Sequence, residues 1–511
     1  MGSFNIETSV IALYLIPLLT AALCFLPVSF KWPGKIQIIG MFALLMTVLM
    51  QMPLIVRIGS WAGGFRGLVY LDALSGLLLI IISLVALLAS LYAKNYMIDE
   101  AEEEVKNPLK LRIFYLLFNL FVLSMLGMVT TRNLGVFWIF IEASTLVSAF
   151  LVGYYNRKEP VEAAWKYIML CTVGIAFALI GLTLGYYAVI QAGGNVSKAL
   201  DWDYLTSIAP RLNPNLVKVA FIFVLIGFGT KAGLAPLHNW LPDAHSEAPT
   251  PVSALLSGVL LKCAIYGIVR YSLIANQAID GHFANQFLIF FGLLSLGIAT
   301  PFILVQRNIK RLLAYSSLEH IGIITVGLGF GAPTAVFGAL FHMLNHSLIK
   351  SLMFFTVGNI ALKYHSKQMS QITGTLSLLP LGGTILLVGG LALAGSPPFS
   401  VFLSEFYVIA GGFQSGLWKE SALLLVLLLL IFGGLSYHLI KMSMGSVPLL
   451  AEGEQAGLTG VVAGKESVNI SDALALLIPV GLLFLLGLWQ PSTLIELLHH
   501  ATSIINGVLP Q

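Results

Sequence analysis

The chain has 511 residues, 58% of them hydrophobic and only 10% charged, with a formal charge of +4 and a mean hydropathy of +0.92. That balance excludes a soluble globular or a disordered protein and describes a polytopic α-helical membrane protein. The small positive charge reflects where lysine and arginine fall and gives no reason to expect nucleic-acid binding. Cys24, Cys171 and Cys263 stand singly in apolar segments, which excludes an iron–sulfur cluster or zinc ribbon built by this chain. With no G-x-G-x-x-G or Walker-type loop either, no cofactor is expected.

At roughly 20 apolar residues per span, the sequence predicts an all-α membrane fold. Its 14 or so transmembrane helices centre near residues 18, 46, 80, 120, 144, 177, 223, 262, 295, 320, 346, 390, 430 and 481. The first apolar stretch, from about Val10, has no basic leader and no A-x-A-like exit, so it reads as a span rather than a cleavable signal. Spans one to three, to about Tyr92, carry little chemistry. Asp72, where the third begins, is either an interfacial cap or a functional acid, and the acidic run Asp99 to Glu104 reads as a solvated loop. The fifth span, Leu134 to Tyr154, carries Glu142 between Phe140 and Leu146. A charge at that depth costs roughly 2.5 to 3.5 kcal/mol even on lenient scales. Glu142 therefore needs a cation, for which Lys231 is the candidate, or is a protonated structural acid bonded to a neighbouring hydroxyl. After the sixth span, Ala163 to Ala192, the polar stretch with Trp202, Asp203 and Tyr204 reads as an external loop.

The apolar run Leu216 to Gly229 of the seventh span delivers Lys231 to membrane depth and then breaks at Pro236, which has no N–H to give. A lysine beside irregular backbone in a bilayer faces protein or a water-filled cavity, or else snorkels to the interface. The second half, Leu237 to His245, carries His238, Asp243 and His245, with Glu247 beyond. These groups either line a funnel on the basic-loop side or cap helix ends. His238 and His245 are seven apart, but no third ligand stands at a zinc-like spacing and no metal is predicted. The eighth span, Val252 to about Tyr271, places Lys262 in mid-membrane, where two lysines in consecutive spans repel and become transferable proton sites. The tenth holds Glu319 and His320. The eleventh, Ala335 to about Ala361, holds His342, His346 and Lys350 four residues apart on one face, as a relay or as satisfied core residues. The twelfth, about Leu378 to Gly412, breaks at Gly395 to Phe399 and continues with Glu405.

Glu142 and the break after Lys231 are echoed about 175 residues later by Glu319 with His320 and by the break before Glu405, the mark of an internal repeat with one discontinuous helix in each copy. Five spans fit in the offset, an odd number, so the copies are inverted. The expected organisation is residues 1–110 for helices 1–3, 111–273 for the first repeat (helices 4–8), 274–445 for the second (helices 9–13), and 446–511 for a loop and helix 14. Sixteen lysines and arginines fall on one set of connections and eight, Arg270 among them, on the other. This places the protein in the cell inner membrane with both termini on the non-cytoplasmic side.

Three stretches carry a family resemblance: G-T-K-A-G-L-A-P-L-H-N-W-L-P-D-A-H-S-E-A-P-T-P-V-S-A-L-L-S-G-V-L-L-K from Gly229 to Lys262, Glu142 before A-S, and S-P-P-F-S-V-F-L-S-E-F from Ser396 to Phe406. They resemble the antiporter-like proton-pumping subunits of respiratory complex I, which share a family with subunits of membrane-bound hydrogenases and of multi-subunit sodium/proton antiporters. The likeness spans roughly Phe114 to Ile440. Glu319 with His320, and E-A-A-W-K-Y-I-M-L-C-T-V-G-I-A from Glu162, look most like hydrogenase-4 component F. The resemblance implies that Glu142 is the paired carboxylate, Lys231 its partner, Lys262 the central lysine and Glu405 the exit-side acid, where some relatives have lysine. It also implies that the partners are the other membrane subunits and peripheral redox arm of a complex I-like or hydrogenase complex, that the chain has no redox centre of its own, and that a chain ending after its fourteenth span lacks the long lateral helix of the largest members.

An opposite charge about 4 Å away at an effective dielectric near 20 contributes about 4 kcal/mol, enough to switch a buried amine. The expected mechanism separates Glu142 from Lys231, passes the proton through water to Lys262 and on by the histidine-bearing helices, with His238 a secondary candidate, to Glu405. The alternatives are a sodium/proton antiporter module, a transporter of an organic solute, and a scaffold subunit of another membrane complex.

Overall fold

The computed structural model describes residues 6–26, 32–104, 107–279, 282–444 and 469–507. Helices α1 (Ile6–Phe25) and α2 (Trp32–Ile58) lead into a hairpin of β1 (Ser60–Gly63) and β2 (Val69–Asp72), then α3 (Ala73–Glu104), α4 (Pro108–Thr130), α5 (Leu134–Val152) and α6 (Lys158–Gln191). The short α7 (Trp202–Ile208) precedes α8 (Pro214–Ala232), α9 (Trp240–Glu247) and α10 (Thr250–Leu255), which runs through a π turn at Leu256–Leu260 into α11 (Leu261–Ala278). Then follow α12 (Phe283–Val305), α13 (Ile309–Phe330), α14 (Pro333–Tyr364), α15 (Thr375–Leu378), α16 (Pro380–Leu393), α17 (Ser400–Gln414), α18 (Trp418–Met444), α19 (Ile470–Leu488) and α20 (Ser492–Ile505).

Local chemistry sets the helix starts. Asn107, Asn133, Asn213 and Asn308 accept first-turn N–H groups, and Pro108, Pro214 and Pro333 occupy the opening turn, where no intrahelical donor is needed. Twelve described helices, with α10 and α11 counted as one, are long and apolar enough to cross a membrane. The predicted spans near residues 346 and 390 fall on α14, a helix of 32 residues studded with His342, Asn345, His346 and Lys350, and on the interrupted pair α16 and α17; neither is among the twelve. The chain is a multi-pass membrane protein.

Polarity is distributed inside out relative to a soluble protein. The spans of α10–α11 and of α13 are buried throughout their hydrophobic windows, whereas α1, α2, α6, α12, α18 and α19 present leucine, isoleucine and phenylalanine outwards. Lipid-facing apolar side chains cost nothing in a bilayer, and each buried polar group must find its partner within the protein.

Both predicted breaks exist. Helix α8 ends on Gly233 in the left-handed conformation (φ 77°), with Gly233 N donating to Thr230 O and Leu234 N to Gly229 O. Helix α16 ends the same way on Gly395 (φ 77°), with Gly395 N bonded to Ala392 O and Ser396 N to Leu391 O. A cis prolyl bond follows each turn, Ala235–Pro236 and Pro397–Pro398.

Several expectations need correcting. The fold is helical throughout its spans, and the one sheet among the described residues is a short two-stranded hairpin that was not expected. The backbone from Asp99 to Glu104 continues α3 instead of looping. The stretch after residue 190 folds into a 3-10 turn (Val196–Lys198) and α7, with Trp202 buried, because Asn195 caps the turn and Trp202 N donates to Arg132 O. Arg270, assigned to an external connection, is buried in α11 against Asp72. Asp72 does cap α3: its carboxylate accepts from Ser75 N at 2.9 Å. A further helix, α20, follows α19. Most of the loop expected before helix 14 lies outside the described residues.

Candidate functional site

The ionisable groups picked out in the sequence gather inside the bundle. Lys231, Lys262, Lys350, His320, His342 and His346 are 0% exposed, Glu319 2% and Glu405 8%, so none of them faces lipid. Glu142 is partly exposed on α5. Thr172 of α6 donates to its Oε1 at 3.0 Å. The ion pair expected between Glu142 and Lys231 does not form here: Lys231 Nζ, on the last turn of α8, donates to Thr145 Oγ1 at 2.8 Å and to the Tyr167 hydroxyl at 2.5 Å. Thr145 stands three residues beyond Glu142 on α5 and takes the place at the ammonium, leaving the carboxylate within electrostatic reach but out of contact. Tyr167 OH also pairs with Ser148 Oγ at 2.7 Å.

The break beyond Lys231 is braced by Trp240 of α9, whose Nε1 donates to Thr230 O at 2.9 Å and whose ring lies 4.8 Å from that of Tyr167. Next stands His245, expected on a funnel or a helix end but fully buried, edge-on to Trp240 at 6.3 Å and to Phe354 of α14 at 5.7 Å. Neither of its ring nitrogens has a hydrogen-bond partner. It packs between Trp240, whose ring lies against Tyr167 of the Lys231 pocket, and Phe354 of α14. Asp243, only partly buried, bridges Lys166 and Arg311 at 3.3 Å each, and Glu247 pairs with Lys367 at 3.2 Å, so these two acids do stand on the basic side. His238 is buried in the connection between α8 and α9.

At the centre, Lys262 Nζ donates at 2.7 Å to Ser257 O, the carbonyl five residues back that the π turn turns towards it. Ser257 Oγ bonds Ser317 Oγ of α13 at 2.7 Å. Lys350 of α14 donates to Leu313 O at 2.8 Å and to Ser316 Oγ, and it shares electrostatic reach with Lys262 and Glu319. From there the histidines form a chain. The His346 and His320 rings stack at 4.7 Å, His320 Nδ1 and His342 Nε2 bond at 2.9 Å, and His342 Nδ1 bonds Ser404 Oγ of α17 at 2.9 Å. Asn345 holds the far side, donating to Ser400 O at 2.9 Å and to Ser404 Oγ at 3.1 Å. Glu405 is next to Ser404 and reaches back to Gly395.

His320, His342 and Glu405 each bring a donor atom within 4.8 Å of the others. That spacing is close enough to share a cation; in this arrangement His320 Nδ1 and His342 Nε2 bond each other and His342 Nδ1 bonds Ser404, a short hydrogen-bonded run, while His320 Nε2 and both ring nitrogens of His346 have no hydrogen-bond partner.

The transmembrane family described as NADH:quinone oxidoreductase/Mrp antiporter matches residues 131–432. The chain belongs to this family. It is similar to a hydrogenase-4 component F homolog of Methylacidiphilum infernorum (isolate V4), 38% identical over 374 residues that cover 73% of this chain and 78% of that one. Among solved structures, a chain of the membrane-bound sulfane sulfur reductase, an archaeal respiratory membrane complex, is 25% identical with a TM-score of 0.81, covering 98% of both chains. A chain of the Mrp complex from Dietzia sp. DQ12-45-1b superposes with a TM-score of 0.82 at 22% identity, covering 99% of this chain and 100% of that one. All the charged groups of the axis lie within the matched family region. Thr145, Ser148 and Tyr167, which hold Lys231, were not singled out in the sequence, because hydroxyl and aromatic residues in apolar spans look like ordinary packing. Helical spacing could have found the first of them, since Thr145 lies about one turn along α5 from Glu142 and Ser148 about one turn further.

Proposed function

We propose that the chain is a proton-translocating membrane subunit of a multi-subunit redox complex, of the hydrogenase-4/formate hydrogenlyase or NADH:quinone oxidoreductase kind. Protons move from the Glu142 and Lys231 pocket through Lys262, Lys350 and the histidines to Glu405. The observation that carries this reading is the buried series of amines, imidazoles, hydroxyls and carboxylates running sideways from one broken helix to the other. Charges at membrane depth face the protein interior and mark ion pathways, and discontinuous helices hold ion sites near the midplane. The two inverted five-helix repeats, residues 111–273 and 274–445, and termini on the non-cytoplasmic side belong to the same reading.

Glu142 gives the subunit its input. It is partly exposed, with Oε2 buried and without a hydrogen-bond partner, beside a wall of α5 and α6 where Ile139, Phe150, Met169 and Val173 are 58–70% exposed. A carboxylate there requires a neighbouring membrane subunit to cover it. Movement of that neighbour changes the field at Lys231, whose proton then leaves for the centre.

In the assembled complex reconstituted in liposomes, Lys231→Ala and Glu142→Ala should each abolish donor-driven proton pumping while the complex still assembles. Pumping at the normal stoichiometry by either variant would refute the reading. Repeating the measurement in sodium-free buffer separates the ions: a proton subunit continues, whereas a sodium/proton antiporter module stops.

A further inference from the structure

Lys262, Tyr266 and Arg270 follow one another at four-residue steps on α11 and share one face, with Arg270 about 12 Å beyond Lys262 at 1.5 Å per residue. The proton axis uses only the first of the three. Arg270 Nη2 donates to both carboxylate oxygens of Asp72 at 2.7 Å, and the two side chains are 1% and 2% exposed. The guanidinium is covered by the rings of Trp202 at 4.0 Å and Tyr266 at 4.7 Å. Asp72 is itself fixed, since its N–H donates to Ser75 Oγ at 2.8 Å while its carboxylate accepts from Ser75 N. At the same end of α11, an open cavity of about 800 Å³ reaches Val269, Ser272 and Asn276, on either side of Arg270 in sequence. A dry, carboxylate-bound cation therefore ends the stripe that begins at a mid-membrane amine, on the stretch of α11 whose neighbouring residues line a space open to the surface.

We propose that the Asp72–Arg270 pair, lidded by Trp202, seals this face of α11 against conduction. The inference rests on the proton-transfer reading. A guanidinium does not give up its proton in proteins; its pair with Asp72 is neutral overall, and what lies against Tyr266 at the end of the lysine stripe is the pair's positive charge. In water-excluded surroundings that charge repels a proton or other cation arriving from Lys262 far more strongly than it would in water. Charge at Lys262 is left with the sideways route to α13 and α14, so transport is driven across the axis instead of leaking along one helix.

The test measures passive conductance of the intact complex in liposomes, without electron donor: a pH step is imposed, the membrane potential is clamped with potassium and valinomycin, and gradient collapse is read from a trapped dye. Asp72→Asn with Arg270→Gln removes both charges and leaves no unpaired ion. Passive proton conductance should rise at least tenfold, and adding Tyr266→Phe should bring it back towards the starting value. Conductance that stays high in the triple variant overturns the route along this face, and conductance unchanged in the assembled double variant overturns the seal. Trp202→Leu keeps the pair but admits water to the guanidinium and should raise conductance severalfold. Wild-type tightness in Trp202→Leu overturns the seal even where the double variant does not assemble. Failure of the proton-transfer reading has a separate signature, donor-driven pumping by Lys262→Ala.

Discussion

Tyr167 is where the Lys231 pocket is decided. Its hydroxyl accepts from the ammonium, pairs with Ser148 and lies under Trp240, so it couples three helices at one atom. Tyr167→Phe keeps the ring and removes that atom. Donor-driven pumping should slow by roughly tenfold, the effect of about 1.4 kcal/mol on a barrier, with assembly intact, as followed by dye quenching in liposomes. Gly395 works by what it lacks: a Cβ there would lie 3.0 Å from Glu405 Cδ and 3.2 Å from its Oε1, at a φ of +77°. Gly395→Ala should cost about 1–2 kcal/mol from the left-handed backbone alone, seen as a lower unfolding temperature, and should displace the carboxylate and slow pumping. Lys231, Lys262, Glu319 and Glu405 were legible because a charge in an apolar run has no ordinary reason to be there. Glu142 was legible as a position, but its contact was not. Which of two neighbours on a helix turns towards an ammonium depends on how α5 is rotated, and periodicity does not fix that rotation.

Among the elements, the two interrupted helices were written in Gly and Pro and emerged where those residues fall. Their placement relative to the charges differs, since Lys231 precedes its break on α8 and Glu405 follows its break on α17. Trp240 links the two pieces of the first, donating to Thr230 O, the carbonyl that also accepts from Gly233 N at the end of α8. Trp240→Phe should destabilise the complex by about 1 kcal/mol, the worth of one hydrogen bond, and lower the pumping rate, read by thermal unfolding beside the liposome assay. The hairpin, α7 and α20 were not foreseen. Each is shorter than a span and owes its form to tertiary contacts, such as Trp202 packing on Arg270, that no local pattern announces. The π turn was equally hidden, because Leu256 to Leu260 differs from ordinary helix only in register.

On the scale of the molecule, the polar interior and apolar exterior could be read from composition, and the path through that interior could not, because it runs between helices distant in sequence. Its walls make a prediction about company. Phe150 on α5 is 70% exposed, on the wall that includes Glu142. Phe150→Cys should be protected from a membrane-permeant maleimide in the intact complex and labelled once the chain is separated from its partners, by mass spectrometry. Equal labelling in both would place the neighbouring subunit elsewhere.

The half-open seat of Glu142 carries a lesson for anyone who isolates this polypeptide. Under the proposed reading a neighbouring subunit completes its first acid, and the polypeptide purified by itself would be an engine without its starter.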